Sequence, residues 1–477
     1  MPPDLGACEY EPDYPAQNQI APDGNTYRAG SLLYTSAGLV SLFFWLLAGD
    51  FLFSLMEGVE PRILPLLLQR AGASNTEIAV IVTSLAAAVN SFVNPIVSYR
   101  SDRTQSRWGR RIPYLAVATP FVALFLAAIP FSPEIAHFLL RWPPVAACFR
   151  LLPIAPVLFI FAVLVVFYQV FNMIVGSIYY YLLRDVVPLG QLGKMISLFR
   201  VVAYLAAFVF NYWMFGSAEA HAREIFCSIA ACYAAGYLLM CWKVREGTYH
   251  HLPDTVREGR GPRRIIRNYL KESFGHPLYR WVYATRVFSM SSASAAVFAV
   301  FFARDQLHLD LDTIGKLSAW PVLFCLPLAY PFGILLDRWG SIRALGLTIY
   351  LTMACNLLGF FFIHDRGTLL GFSIVIGAAG LLFNIGQSVF LQTMFHPDRV
   401  GQLSSANALL VAVSGVILGP VCGAFFDWVK DYRYIYLWPV IFSAIAGLCL
   451  HRTAYYWRQC GGPSNYHPPL AGDPCKT

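Results

Sequence analysis

Apolar runs of about twenty residues or more alternate with short polar segments along almost the whole chain. Twelve such runs can be placed, at about 37–59, 76–99, 112–131, 154–183, 194–216, 224–243, 281–303, 314–337, 343–363, 368–392, 402–427 and 433–452. A helix needs about 20 residues to cross ~30 Å of hydrocarbon. Lipid offers backbone groups no hydrogen-bond partner, so a spanning segment of this kind is a helix. The pattern predicts an all-α, polytopic membrane protein with twelve transmembrane helices.

The polar segments set the organisation. They divide the chain into an N-terminal tail (1–33), a first six-helix bundle (34–243), a connector (244–280), a second six-helix bundle (281–452) and a C-terminal tail (453–477). Basic residues concentrate in two places. Arg100, Arg103, Arg107, Arg110 and Arg111 follow the second run, and Lys243, Arg245, Arg257, Arg260, Arg263, Arg264, Arg267, Lys271, Arg280 and Arg286 lie along the stretch 243–286 that joins the sixth run to the seventh. Positively charged loops stay in the cytoplasm, so both segments, and with an even number of spans both termini, are expected there, in a cell (inner) membrane. The stretch 263–271 reads as an amphipathic helix on anionic lipid or as a solvated linker.

Composition agrees with this reading. The chain is 57% hydrophobic and 13% charged, against about 25% charged residues in soluble domains. Its net charge of +8 sits in interhelical loops and reads as topology, so no nucleic-acid partner is expected. The N-terminus lacks the basic region and short apolar run of a cleavable signal peptide. Eleven cysteines, scattered without metal-ligand spacing, read as packing residues; neither metal nor cofactor is expected.

The two bundles echo each other. Asp102-Arg103 and Trp108-Gly109-Arg110-Arg111 after the second run return in shorter form as Asp337-Arg338-Trp339-Gly340, and Gly190-Gln191-Leu192 returns as Gly401-Gln402-Leu403. An internal duplication gives two pseudo-symmetric six-helix halves, the plan of a secondary transporter that rocks one half against the other.

At this level the chain resembles the major facilitator superfamily over about 35–455. Asn94-Pro95 through Ser106-Arg107-Trp108-Gly109-Arg110 resembles more narrowly the glycoside-pentoside-hexuronide:cation symporters, of melibiose permease type, and Arg107 to Arg111 also looks like the sucrose/proton symporters. The resemblance implies a carrier of a sugar, glycoside or uronide. Asp50, in Ala48-Gly49-Asp50-Phe51, matches a sugar-binding Asp, and Arg200 matches an Arg near the sugar. Tyr168 to Asn172 fits a Tyr-x-x-x-Asp pattern in which the Asp has become Asn172, and Asn90 and Asn94 stand where the family has two Asp. Asn cannot titrate and offers only a neutral oxygen, so a sodium site does not carry over.

Read from the residues themselves, Asp50 is an ionisable group in mid-helix, which marks a transport path or a buried ion pair. Glu57 lies two turns along the same face and is the candidate proton carrier beside Asp50, or else a hydrated residue at the outer mouth. Arg200 either snorkels to the interface or faces Asp50 and the solute. Asn90, Asn94, Asn172, Tyr168, Asn384 and Gln387 are solute hydrogen-bonders or interhelical glue. Glu60, beside Arg62, reads as a surface salt bridge, and Tyr179 to Tyr181 as part of an interfacial belt. Asp102, Arg103, Arg110, Arg111, Asp337 and Arg338 form an expected gating network of breakable pairs. Trp45, Trp213 and Trp320 are candidates for stacking on a sugar ring. The expected function is alternating-access transport of a small solute, carbohydrate in kind, by proton symport. The expected unit is a monomer in a lipid bilayer. A uniporter or exporter of another organic solute, and a transporter-like sensor that no longer cycles, stay open beside it. No nucleophile–base pair or phosphate loop points to an enzyme.

Overall fold

The computed structural model describes residues 26–29, 31–104, 106–151, 153–247, 262–328, 331–332, 334, 338–396, 399–462 and 466–469. It is almost entirely helical, and among these residues eleven helices are long and apolar enough to cross a membrane. The remaining expected span, the eighth, begins as Leu311–Cys325 and a 3-10 turn at Leu326–Leu328; most of its continuation lies outside the described residues.

Several spans run longer than their apolar cores. The first is Ser36–Arg70, opened by Thr35, whose hydroxyl accepts from the Gly38 N–H. It continues through Glu60, Pro61, Arg62 and Pro65, with Val59, Glu60, Ile63, Leu64 and Pro65 buried by other helices. The third reaches Leu140 and is followed by a short helix, Pro143–Arg150, that the hydropathy pattern does not mark. A two-stranded antiparallel hairpin, Thr26–Ala29 with Leu32–Thr35, precedes the first span and departs from the all-α expectation.

The second span is built from Asn75–Ala79, a π turn at Val80–Ser84 and Leu85–Arg103. Ser74 and Glu77 cap its start reciprocally, with the Ser74 N–H donating to Glu77 and the Glu77 N–H to the Ser74 hydroxyl. The seventh is irregular: Pro277–Ser291 is α-helical, Ser292–Phe298 is 3-10, and Phe302–Gln306 is a π turn. Ser289, Ser291, Ser292 and Ser294 all turn their hydroxyls onto carbonyls of the preceding turn. Such bonds compete with the helical ladder and loosen it.

Helix packing repeats between the halves. In the first, span one packs on five and six, three on four and six, and two on four; in the second, seven packs on eleven and twelve, nine on ten and twelve, and eight on ten. Between the halves, five packs on eight and two on eleven, a pair of contacts that exchange when the halves are exchanged. The duplicated motifs thus correspond to duplicated packing.

The bonds joining the halves cluster at the end remote from the arginine-rich hairpin 104–111. There Asp427 holds Asn75 and Thr76, Tyr432 donates to Asn75, and Arg304 reaches Gln69 and Glu219. A Cβ on Gly423 would stand 2.5 Å from the Asn75 carbonyl oxygen and the Thr76 Cα, so the eleventh and second spans touch there through backbone.

Candidate functional site

Asp50 lies 14 residues into the first span, about 21 Å along the axis at ~1.5 Å per residue. It is 4% exposed, and its Oδ2 is buried without a hydrogen bond. The charges nearest to it are Arg200 and Glu57. Glu57, two turns on, is exposed between buried Met56 and Gly58, and Asn172 is its hydrogen-bonding neighbour on the fourth span. One further turn along this face, Pro61 lines a hollow of about 280 Å³ between the halves, with Asn211 of the fifth span beside it and Val300, Ser318 and Tyr436 from the second half. Glu57 therefore lies on the side of the first span that meets the second half.

Glu60 forms no surface salt bridge. It is 6% exposed and accepts from Gln169 Nε2 at 2.7 Å, while Arg62 donates to the Gly58 carbonyl at 2.9 Å and stands over the Phe210 ring. The extra three turns of the first span carry both side chains inside the bundle. Gln169 was not singled out from sequence. It lies three residues before Asn172, and that helical spacing was the available signal.

Arg200 lies 11 residues into its helix, which starts at Leu189 and so places it deeper than the hydropathy pattern does. It is exposed and within electrostatic range of Asp50. Tyr168 is fully buried, its hydroxyl on Met56 Sδ at 2.9 Å, so it packs the first half. Asn94 is tied to the Ser177 hydroxyl at 2.9 Å, whereas Asn90, one turn earlier, is exposed and lines a second cavity between the halves. Asn384 is exposed and donates to the Gly380 carbonyl of its own helix; Gln387 is buried with its Nε2 unpartnered. Trp213 and Trp320 pack edge-on around Phe208 and Tyr212, where the fifth and eighth spans meet.

Of the residues expected to gate, Arg110 and Arg111 are organised by two carboxylates that the sequence reading did not single out. Arg110 grips Asp185, at the end of the fourth span, through Nη2 to Oδ1 at 2.8 Å and Nε to Oδ2 at 3.1 Å, and Arg111 Nε adds a 3.2 Å bond to Oδ2. Arg111 also bonds the Ser101 hydroxyl and stands over Tyr181. Tyr179 is fully buried with its hydroxyl on the Leu46 carbonyl, so this tyrosine run serves the core and the hairpin more than a lipid belt. Glu246, just past the sixth span, accepts the N–H groups of Arg111 and Ile112 at 2.8 and 3.2 Å and so caps the third span, where the helix dipole favours an anion. Burial pushes the Glu246 carboxyl above its ordinary range, against the opposing pull of these N–H groups. Gly109 adopts φ +99, and a Cβ there would overlap the Glu246 carboxylate. Asp102 and Arg103 lie in the second span, but their side chains, like all of Asp337, fall outside the described residues; Arg338 is exposed in a helical turn.

One charged residue takes a different place from that expected. Arg286, assigned from sequence to the basic connector, lies 9 residues inside the seventh span, which begins at Pro277. Its side chain lines the cavity of about 380 Å³ that Asn90 faces. The basic stretch 243–286 overlaps the start of the seventh apolar run at 281, and the helix begins four residues earlier still, at Pro277.

A family model described as Major Facilitator Superfamily matches residues 282–459. The structure is similar to the nucleoside transporter NupG (13% identity, TM-score 0.63, 86% of this chain and 98% of that one). It is also similar to a bacterial homolog of the human lysosomal transporter Spinster in an inward-facing conformation (10%, 0.61, 87% and 97%). A third similar structure is a bacterial homologue of the iron transporter ferroportin in its inward-facing state (14%, 0.60, 87% and 99%). No curated protein matches in sequence. This is a multi-pass membrane protein with the major facilitator fold, and its second half matches the model of that superfamily itself.

Proposed function

We propose that this chain is a secondary transporter that moves a small polar solute, carbohydrate in kind, by alternating access, with protons coupled through Asp50 and Glu57. The observation that carries the reading is Asp50 itself: a carboxylate in mid-membrane with one oxygen unpartnered, two turns from an exposed carboxylate on the face toward the other half. An ionisable group held there at a cost of about 2.5–3.5 kcal/mol is kept for transport. Asn172 and Arg200 supply neighbouring donors and acceptors. The hairpin 104–111 is read as cytoplasmic, so the bonds of Asp427 and Arg304 that join the halves lie at the outer end.

The test is uptake into proteoliposomes under an imposed pH gradient. Asp50→Asn is expected to abolish accumulation while leaving exchange measurable, and sodium is expected to have no effect. Sodium-stimulated uptake with full activity in Asp50→Asn would remove the proton-coupled reading. The amides at Asn90, Asn94 and Asn172 favour a second reading, uniport, in which counterflow proceeds and no ion gradient changes it.

A further inference from the structure

Arg286 stands about 13 Å inside the seventh span, nine residues from Pro277 at ~1.5 Å per residue. Two of its three guanidinium nitrogens, Nε and Nη1, are buried and make no hydrogen bond. An arginine that snorkels keeps its head group in water; this one holds most of its head group inside the protein. The guanidinium stays charged, and its five N–H donors form a rigid fork matched to carboxylate and phosphate oxygens.

The cavity wall contains no compensating charge among the described residues. Across about 380 Å³, Arg286 shares the lining with Asn90 of the second span, Ser291 and Ser294 of its own, and Asn407 and Ser414 of the eleventh. Asn407 is 7% exposed, with its Oδ1 buried and unpartnered. The Ser291, Ser294 and Ser414 hydroxyls donate to carbonyls of their own helices. The surroundings are polar and neutral around a cation whose donors are unused, in a chamber large enough for a small organic solute.

We propose that Arg286 is the anion-recognition element of the solute site, and that the transported solute carries a carboxylate or a phosphate. The anionic group sits on the Nε/Nη edge of Arg286, and the Asn90 amide donates from the facing wall. Arg286 and Asn407 belong to one half and Asn90 to the other, so a bound anion ties the halves across the cavity. The inference rests on the transporter reading, which it narrows to acidic solutes.

The experiment uses the purified full chain with three related probes, D-glucose, D-glucuronate and D-glucose 6-phosphate, read by thermal shift and by counterflow in proteoliposomes. An acidic probe is expected to raise the melting temperature where glucose does not, and the stronger of the two identifies carboxylate or phosphate. Arg286→Gln is expected to weaken that binding about ten- to a hundredfold, the worth of a charge-assisted contact. Arg286→Lys, which keeps the charge but loses the two-pronged donor edge, should fall between the parent and Arg286→Gln, and Asn90→Leu, on the opposite wall, should weaken binding severalfold. If Arg286→Gln does not fold, the other two variants decide. Equal binding of glucose and the acidic probes, no response to either acidic probe, or undiminished binding in Arg286→Gln would overturn the inference. Absence of counterflow for every probe would instead count against the transporter reading, so the two failures are separable.

Discussion

Asp427, in the last turn of the eleventh span, accepts the backbone N–H groups of Asn75 and Thr76 at 2.8 and 2.9 Å and the Thr76 hydroxyl at 2.6 Å. A carboxylate from one half thus caps the first turn of a helix in the other, where the dipole favours negative charge. In the proposed alternating-access cycle the halves separate at this end, so these bonds would bias the equilibrium toward the arrangement closed there.

Asp427→Ala is therefore expected to weaken the closed remote end by about 1–3 kcal/mol, a shift of roughly tenfold per ~1.4 kcal/mol. Spin labels on His221 and Asp310, one in each half, should show longer distances in the variant. An unchanged distance distribution would mean that the capping bonds do not bias the equilibrium.

Gly423 tests the same contact by volume. With 2.5 Å from its added Cβ to the Asn75 carbonyl oxygen, Gly423→Ala must push backbone from backbone, and neither can rotate away. The variant is expected to populate the arrangement open at the remote end and to label faster at a cysteine placed at Thr83. Labelling at the parental rate would show that the helices can slide to make room.

Arg110 and Asp185 hold the hairpin to the fourth span. Their side chains are 20% and 12% exposed, so solvent screens the pair little and losing Asp185 removes the bidentate partner of Arg110. Asp185→Asn should lower stability by about 1–3 kcal/mol, seen as a lower melting temperature. A double-mutant cycle with Arg110→Gln should give a coupling energy that is part of the Asp185→Asn loss, the rest belonging to the Arg111 bond. Additive losses would show that the two side chains act independently.

Glu246 gives the pH dependence. Its folded pKa is raised by burial, so the folded chain binds this proton more tightly than the unfolded chain does. The stabilisation it contributes is present below the unfolded value and is lost as pH rises through the folded value. Glu246→Gln cannot titrate. The melting temperature of the parent relative to this variant should fall as pH rises above the ordinary glutamate range. A difference that is flat with pH would contradict the raised value.

How much of this was legible in sequence differs from residue to residue. Apolar length fixed the spans, since hydrocarbon thickness is a one-dimensional constraint. The echo of Trp108-Gly109-Arg110 in Trp339-Gly340 indicated the duplication that the packing repeats. Asp50 and Glu57 could be found because a charge in an apolar run is visible locally. Arg286 counts in sequence with the basic connector although it falls inside the seventh apolar run, and its place in a cavity opposite Asn90 depends on helix rotation, which hydropathy does not register.

The sequence by itself determined a helical membrane protein of two similar halves, with Asp50 in mid-membrane and a basic hairpin at one end. Tertiary structure alone decided the partners: Asp185 for Arg110, Glu246 for the start of the third span, Asp427 for Thr76, and Arg286 facing Asn90. The reason is physical. Crossing a membrane depends on each segment's own transfer free energy, whereas a pairing depends on helix rotation and depth, which are set by contacts between residues as far apart in the chain as Thr76 and Asp427.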